Sequence, residues 1–345
     1  MAYFKCEESE LISVADEIRN KGGISDQLAW PSGFINAIET MEIGGGGGDL
    51  DEIIARTISG NASFPTCTKI GAYAFTSCTI LTSIRFPLCS YIGDYAFSDC
   101  SMLTSINFPV CEYIGSYVFC NCRNLTSISI LSCSYIGNNA FRSCIRLTSI
   151  SFPVCSYIGT YAFGGCTSLT SISFPVCSYI GNGAFSSCSS LASISFPVCE
   201  YIGSSAFYGC TRLTSISFPL CSYIGNYAFN ACPSIASISF PVCEYIGSSA
   251  FTYKSMLTSI SFPVCSYIGN GAFGNCRSLT TLILLSETVV SLGNVNAFYS
   301  TPFSSSTYTG SFGSIYVPES LVSTYKTTSN WSVYSNRITA YIPEE

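Results

Sequence analysis

The feature that most constrains this chain is a repeat of 22 residues. Glycine recurs at this interval from Gly71 to Gly269, and phenylalanine from Phe75 to Phe273. The unit reads L-T-S-I-S-F-P-V-C-S-Y-I-G-N-x-A-F-x-x-C-x-x, and about ten copies fill residues 59–285. Self-similarity at a fixed period of about 20–29 residues predicts a β-rich solenoid in which each repeat forms one coil.

The copy that begins at Leu169 shows how a coil is built. Ile172 and Phe174 alternate with serines, which is the period of two typical of a strand with one buried face. Pro175 ends the strand because it has no N–H to donate, and Gly181 makes a bend because glycine tolerates a positive φ. Burial of about five large apolar side chains, worth roughly 1.5–3 kcal/mol each, does not offset an ordering cost of about 1.5 kcal/mol per residue. Coils must therefore stack, with their strands in one parallel sheet.

Three elements of the repeat carry a family resemblance: Leu-x-x-Ile-x-Phe-Pro, Ile-Gly-x-x-Ala-Phe and Cys-x-x-Leu, as in the copy from Leu213 through Cys232. They resemble the BspA-like, Treponema-type leucine-rich repeats over about two thirds of the chain. The resemblance implies a leucine-rich-repeat solenoid and a role in recognition, usually adhesion to a cell surface or matrix. A shared fold does not name a ligand.

Composition argues against catalysis and against nucleic-acid binding. The chain has no histidine, which removes Ser-His and Cys-His catalytic pairs and histidine-ligated metal sites. Its 14 basic and 20 acidic residues leave no basic footprint for nucleic acid. Glu112, Glu200 and Glu244 share one repeat position, but an open surface offers no pocket to raise the pKa of either member of an acid–base pair. We expect a non-enzymatic protein that needs neither cofactor nor metal.

Period and charge divide the chain into four parts. Residues 1–58 hold 4 basic and 11 acidic residues, whereas residues 59–285 hold 8 and 5. The predicted parts are a helical attachment or oligomerisation segment (1–43), a glycine-rich linker and entry (44–58), the solenoid (59–285) and a C-terminal cap (286–345). The cap is expected because a solenoid must cover its last core, and the string from Ile315 to Trp331 resembles the cap of the same repeat proteins.

The N-terminal segment is predicted to contain two short helices, over residues 9–21 and from Trp30 onward. The segment either packs on the first coil or attaches the chain to a larger assembly. Its string from Val14 to Ile38 is similar to a segment at the start of many prophage tail-associated proteins. That resemblance implies tail or baseplate partners, self-association through residues 1–43, and a place in the virion after cytoplasmic synthesis.

These observations favour a phage or prophage tail-associated protein that recognises the host surface. The alternative is a BspA-like bacterial surface adhesin or protein-interaction scaffold, located outside the cell. The first ten residues lack the run of about 7–15 apolar residues of an export signal, which favours the first interpretation. No stretch approaches the roughly 18 apolar residues of a membrane span.

The 21 cysteines follow the repeat in two registers. One register begins at Cys67 and the other at Cys78, and only Cys6 and Cys120 fall outside them. Both registers coincide with positions that need a small inward apolar group, so we expect two columns of free buried thiols rather than disulfides or a metal site. Lys254 stands in the second register, where we expect it either to extend outward or to distort its coil.

A tyrosine also recurs every 22 residues, directly before the Ile-Gly element. This tyrosine stripe is the candidate binding surface for a protein or a cell-surface glycan, because tyrosine combines apolar area with a polar group. Its members are Tyr91, Tyr113, Tyr135, Tyr157, Tyr179, Tyr201, Tyr223, Tyr245 and Tyr267. The alternative is a stack that only supports the bend. Copies differ mainly after Ile-Gly and after Ala-Phe, at edge positions that encode specific contacts or have simply drifted.

Overall fold

The computed structural model describes residues 60–64, 67–304 and 312–343. It is a parallel β-solenoid of about 12 coils, which confirms the predicted fold class and extends the expected ten coils at both ends. The predicted segment 1–43 and the linker 44–58 lie outside the described residues. By packing, the described residues form two compact units: the first contains those up to Cys155 together with Ala162–Leu169, and the second contains Ser156–Tyr161 together with those from Thr170 onward.

Each typical coil contributes two strands rather than the single strand that the sequence predicted. The first, which we call the serine strand, carries the Ser-Ile-Ser element. In the first unit the serine strands are β1 (Gly60–Ser63), β3 (Leu81–Arg85), β5 (Ser105–Asn107), β7 (Ser127–Ser129) and β9 (Ser149–Ser151). In the second unit they are β11 (Ser171–Ser173), β13 (Ser193–Ser195), β15 (Ser215–Ser217), β17 (Ser237–Ser239), β19 (Ser259–Phe262) and β21 (Thr281–Leu284), followed by β23 (Ser314–Val317) and β24 (Ile338–Ala340).

The second strand of each coil, the tyrosine strand, is the two-residue Tyr-Ile element or its equivalent. In the first unit the tyrosine strands are β2 (Lys69–Ile70), β4 (Tyr91–Ile92), β6 (Tyr113–Ile114) and β8 (Tyr135–Ile136). In the second unit they are β10 (Tyr157–Ile158), β12 (Tyr179–Ile180), β14 (Tyr201–Ile202), β16 (Tyr223–Ile224), β18 (Tyr245–Ile246), β20 (Tyr267–Ile268) and β22 (Ser291–Leu292).

Strands pair in parallel with their equivalents in the next coil, in a register of 22 residues. In the first unit Ser83 pairs with Ser105 and Tyr91 with Tyr113. Because the offset equals the repeat, identical residues lie directly above one another in columns. A property of one repeat position therefore becomes a property of a whole line along each unit.

The core is a set of such columns. Phe207 stacks on Phe185 and Phe229 with ring centroids 5.3 and 5.2 Å apart, and it meets Phe196 edge to face at 6.1 Å. Stacked and edge-to-face rings at these distances are favourable beyond the area that they bury. The leucine that opens each repeat and the isoleucine before the glycine are also fully buried, as Leu213 and Ile202 show.

The repeated glycine is needed for close approach between coils, and the prediction of a positive φ there was wrong. Gly225 does not adopt the left-handed conformation. A Cβ at this position would lie 2.5 Å from the backbone nitrogen of Ser204 and 2.6 Å from the carbonyl carbon of Gly203. Only a residue without a side chain lets neighbouring backbones pass this closely.

Lys254 is buried, which contradicts the expectation that it would extend outward or distort its coil. Its Nζ donates to the carbonyl oxygens of Phe229 at 2.6 Å and Thr252 at 2.9 Å. In the next coil the Cys276 thiol donates to the equivalent carbonyl, that of Phe251. The ammonium group thus replaces a thiol as donor to the same backbone acceptor, and the coil keeps its shape.

The C-terminal residues form a small mixed structure after β21. A 3₁₀ turn (Glu319–Leu321) follows Pro318, then helix α1 (Val322–Thr327) and a second 3₁₀ segment (Ser332–Arg337). Trp331 is fully buried, and its Nε1 donates to the Val290 carbonyl at 2.6 Å. None of the helices in the described part of the chain is long and apolar enough to cross a bilayer.

Candidate functional site

The tyrosine stripe forms a continuous stack within each unit. In the first unit the rings of Tyr91, Tyr113 and Tyr135 follow one another at 4.9 Å. In the second unit the stack runs from Tyr157 to Tyr267, with ring centroids 4.7–4.8 Å apart and interplanar angles of at most 9°. The structure therefore brings the predicted residues together in two ordered stacks.

Stacking decides which parts of these tyrosines can meet a ligand. A centroid spacing of 4.7 Å leaves no room between the rings, so both faces of an internal ring are covered by its neighbours. Burial and then the adjacent phenols raise the pKa of Tyr201. The same causes raise the pKa of Tyr113 and Tyr245, so these groups stay neutral at pH 7. What the stack presents is a row of ring edges and neutral hydroxyl groups.

A second tyrosine stack was missed from the sequence. Tyr73, Tyr95 and Tyr117 lie two residues after the repeated glycine and stack at 4.9 and 4.6 Å. All three have a positive φ, between 59° and 63°. The signal was their common register, which was hidden because most later coils carry Asn, Gly or Ser at this position and tyrosine returns only at Tyr161 and Tyr227.

The edge positions where copies differ are the left-handed turns of the coils. Each coil has two, as at Ser205 (φ 56°) and Gly209 (φ 73°). The residue directly before the first left-handed turn also differs among coils, and at some coils it helps neighbouring coils pack. Asn182 and Asn226 occupy this position, and the side-chain oxygen of each accepts a hydrogen bond at 2.8 Å from a backbone N–H of the following coil. The left-handed residues themselves point outward in several coils, as Tyr227 does with 47% of its surface exposed.

The cysteines form the two predicted columns. All twenty in the described residues are free thiols, and all but Cys67 are buried. In one column the thiol donates to a carbonyl of the preceding coil, as Cys210 does to Phe185 at 3.3 Å, and in the other to a carbonyl two residues on, as Cys221 does to Tyr223 at 3.2 Å. Burial raises the pKa of Cys221 to about 12, which keeps it protonated and unreactive. The described residues contain no metal-binding cluster of three or more suitable side chains.

These columns, turns and stacks agree with the family comparison. The chain belongs to the BspA type leucine rich repeat region (6 copies) family, whose model matches residues 59–154, 134–254, 178–304 and 244–335. This confirms the family resemblance of the solenoid. The resemblance of the N-terminal string to prophage tail-associated proteins remains a prediction. Among curated proteins, no significant match was found.

Similar solved structures include leucine-rich-repeat proteins from bacteria. A leucine rich cell surface protein from Faecalibacterium prausnitzii is 24% identical, with a TM-score of 0.44, and the match covers 80% of this chain and 81% of that one. A leucine-rich repeat protein from Bacteroides ovatus is 22% identical, with a TM-score of 0.36 and coverage of 82% and 92%. The leucine rich repeat protein of T. pallidum is 21% identical, with a TM-score of 0.33 and coverage of 57% and 77%.

Proposed function

We propose that this protein is a non-enzymatic adhesion protein whose solenoid recognises a host cell surface through the tyrosine stripe. The observation that carries the proposal is the unbroken row of stacked tyrosines from Tyr157 to Tyr267. The stack fixes every ring before binding, so little conformational entropy is lost when a partner docks.

The stacked arrangement favours a protein partner over a glycan at this stripe. Sugars dock on aromatic residues through free ring faces, and an internal ring such as Tyr201 has none. Hydroxyl groups spaced by about 4.8 Å match the strand spacing of a β-sheet and can bond a row of backbone or side-chain groups. A partner that meets several coils gains affinity from each of them.

The test removes hydroxyl groups while keeping the stack. Tyr157, Tyr179 and Tyr201 are changed together to Phe, and adhesion of the full chain to host cells is measured. Three lost hydrogen bonds of roughly 1 kcal/mol each predict a loss of affinity of about a hundredfold. Circular dichroism checks that the solenoid is intact.

A matched control removes three hydroxyl groups from the serine strands of the same unit. The triple change Ser171→Ala, Ser193→Ala and Ser215→Ala should leave adhesion within about twofold, because these exposed serines lie away from the tyrosine strands. Equal adhesion by the tyrosine variant and the wild type would exclude the stripe as the contact surface.

We propose further that residues 1–43 attach the solenoid to a phage or prophage tail, which makes the protein part of the virion. The support is the string from Val14 to Ile38, whose apolar positions at helical spacing need a covering surface. If the segment instead serves a bacterial surface adhesin, it does not bind tail particles.

Two measurements on the full chain test this attachment. The wild type should sediment with purified tail particles, or self-associate in light scattering, whereas the double change Val14→Asp and Ile18→Asp should abolish both. Changing Asp16 to Asn on the polar side of the predicted helix is the control and should alter neither. A monomeric wild type that does not sediment with tails would refute the attachment.

A further inference from the structure

The surface of the serine strands differs in charge from the surface of the tyrosine strands. In the first unit Arg85 lies on a serine strand, and Arg123 and Arg146 lie in the turns that lead into β7 and β9. The acidic residues in the described part of this unit lie elsewhere: Asp94 and Asp99 in the turns after the repeated glycine, and Glu112 next to a tyrosine strand. The tyrosine strands carry one cation, Lys69 on β2. The serine side of this unit is therefore positive.

A groove of about 290 Å³ opens on this side, across β3, β5 and β7. Its two walls are columns of polar residues set by the strand register: Ser83, Ser105 and Ser127 in one, and Arg85, Asn107 and Ser129 in the other. The three isoleucines between the columns complete the lining. Strand spacing gives the groove a footprint of about 10 by 7 Å, the size of one or two sugar rings.

The groove lies where the repeat departs from its own pattern. Other coils carry serine at the outer end of this strand, as Ser129 and Ser151 do, but Arg85 and Asn107 occupy that column in two consecutive coils. Within the part of the chain that the structure describes, neither side chain has an ion-pair or hydrogen-bond partner. An exposed guanidinium and an amide thus point at the same groove with their bonding capacity unused.

We infer that this groove binds an acidic saccharide, with Arg85 as the residue that pairs with its carboxylate. The planar guanidinium suits a carboxylate because it donates two parallel hydrogen bonds. Asn107 both donates and accepts, as do the hydroxyls of Ser105 and Ser127, whereas the Ser83 hydroxyl already donates to Asn61 Oδ1 and keeps only its capacity to accept. Together these groups can match the hydroxyl groups of a sugar ring. This site is distinct from the tyrosine stripe of the proposed function and lies on another face of the coil.

The groove does not suit the other common anionic ligands. Single-stranded nucleic acid is held by aromatic side chains that stack with its bases, and no aromatic residue lines this groove. An extended polyanion needs many cations along its path, but Arg85 is the only cation among the lining residues. Among these anionic ligands, the groove therefore suits a sugar ring that carries one carboxylate and several hydroxyl groups.

The experiment measures binding of an acidic trimer, made of two galactose units and one galacturonic acid so that it carries a single carboxylate, to the full chain by calorimetry, with a galactose trimer as the neutral comparison. Arg85→Ser installs the residue that other coils carry at this position, so the fold should be kept. We expect it to weaken binding of the acidic trimer at least tenfold, whereas Arg85→Lys retains part of the affinity. Asn107→Ser should give an intermediate loss.

The matched control is Arg212→Ser, which removes the same charge from an exposed turn before β15, outside the groove. It should leave the affinity within about twofold. An equal loss in the Arg212 and Arg85 variants would reduce the effect to general electrostatics and overturn the inference. So would an acidic trimer that does not bind the wild type, or a single-stranded DNA oligomer that binds as tightly through Arg85.

Discussion

Replacing Gly225 by alanine tests the claim that the repeated glycine exists for close approach between coils. The added Cβ would meet the nitrogen of Ser204 at 2.5 Å, although Gly225 does not have a left-handed φ. Gly209→Ala is the matched control, because its Cβ meets nothing nearer than 3.7 Å while its φ of 73° is left-handed. Ala231 occupies the same position as Gly209 in the next coil with a φ of 56°.

The two substitutions differ in expected cost. Restoring ordinary contact at Gly225 moves the coils apart locally by about 0.8 Å, and a gap of roughly 0.5–1 Å forfeits about a quarter of the dispersion energy across it. With about five large side chains per coil, worth roughly 2 kcal/mol each, the loss is about 3 kcal/mol. Gly209→Ala adds only left-handed strain, about 1 kcal/mol.

Thermal unfolding followed by circular dichroism separates these outcomes. At about 2–4 °C per kcal/mol, Gly225→Ala should lower Tm by roughly 6–12 °C and Gly209→Ala by roughly 2–4 °C. Hydrogen exchange should quicken at the Gly225 and Gly247 amides, which bond the coils on either side. An equal Tm for the two variants, or a larger drop for Gly209→Ala, would refute the close-approach explanation.

Three further predictions concern the thiols, Lys254 and Tyr227. Thiol titration without reductant should find nearly all 21 cysteines in denaturant but few in the native protein at pH 8, because all but one of the described thiols are buried away from the reagent. Finding fewer than half in denaturant would contradict free thiols. Lys254→Cys should stabilise the protein by about 1–3 kcal/mol. Burial lowers the pKa of Lys254, so the wild type becomes more stable as pH rises toward 10.5, the pKa of the unfolded chain. The difference in unfolding free energy between the Lys254→Cys variant and the wild type, measured by urea titration, should therefore shrink as pH rises. Tyr227→Gly should raise stability by about 1 kcal/mol and weaken adhesion; no change in adhesion would remove Tyr227 from the contact surface.

The repeat predicted the fold and the core because an identical unit must bury the same positions in every coil. Leu213, Phe207 and the cysteine registers follow from that rule, and the structure buries them. The tyrosine strands could not be predicted in this way. A two-residue strand has no period of its own, and its hydrogen bonds lie with residues 22 positions away.

The details that the sequence missed depend on where backbone atoms lie. Lys254 was expected to extend into solvent or to distort its coil. Its Nζ instead donates to the Phe229 carbonyl, which is equivalent to the carbonyls that accept from cysteine thiols in other coils. The groove was missed for a related reason, since Arg85 and Asn107 become neighbours only when the 22-residue register is drawn as paired strands. In both cases, the effect of a residue that differs from the repeat consensus depends on the atoms of the neighbouring coil.

The tyrosines at left-handed turns connect stability with recognition. A side chain at positive φ costs about 1–2 kcal/mol relative to glycine, which Gly183 and Gly271 use at the same position. For Tyr95 that cost is offset by stacking on Tyr73 and Tyr117. The coils on either side of Tyr227 carry serine at this position, so its ring receives no such compensation and stays 47% exposed. Stability alone does not explain Tyr227, because its backbone is strained and its ring has no stacking partner at its own repeat position. Tyr227 instead gives the solenoid surface an exposed ring face, which the rings of the tyrosine stripe do not have.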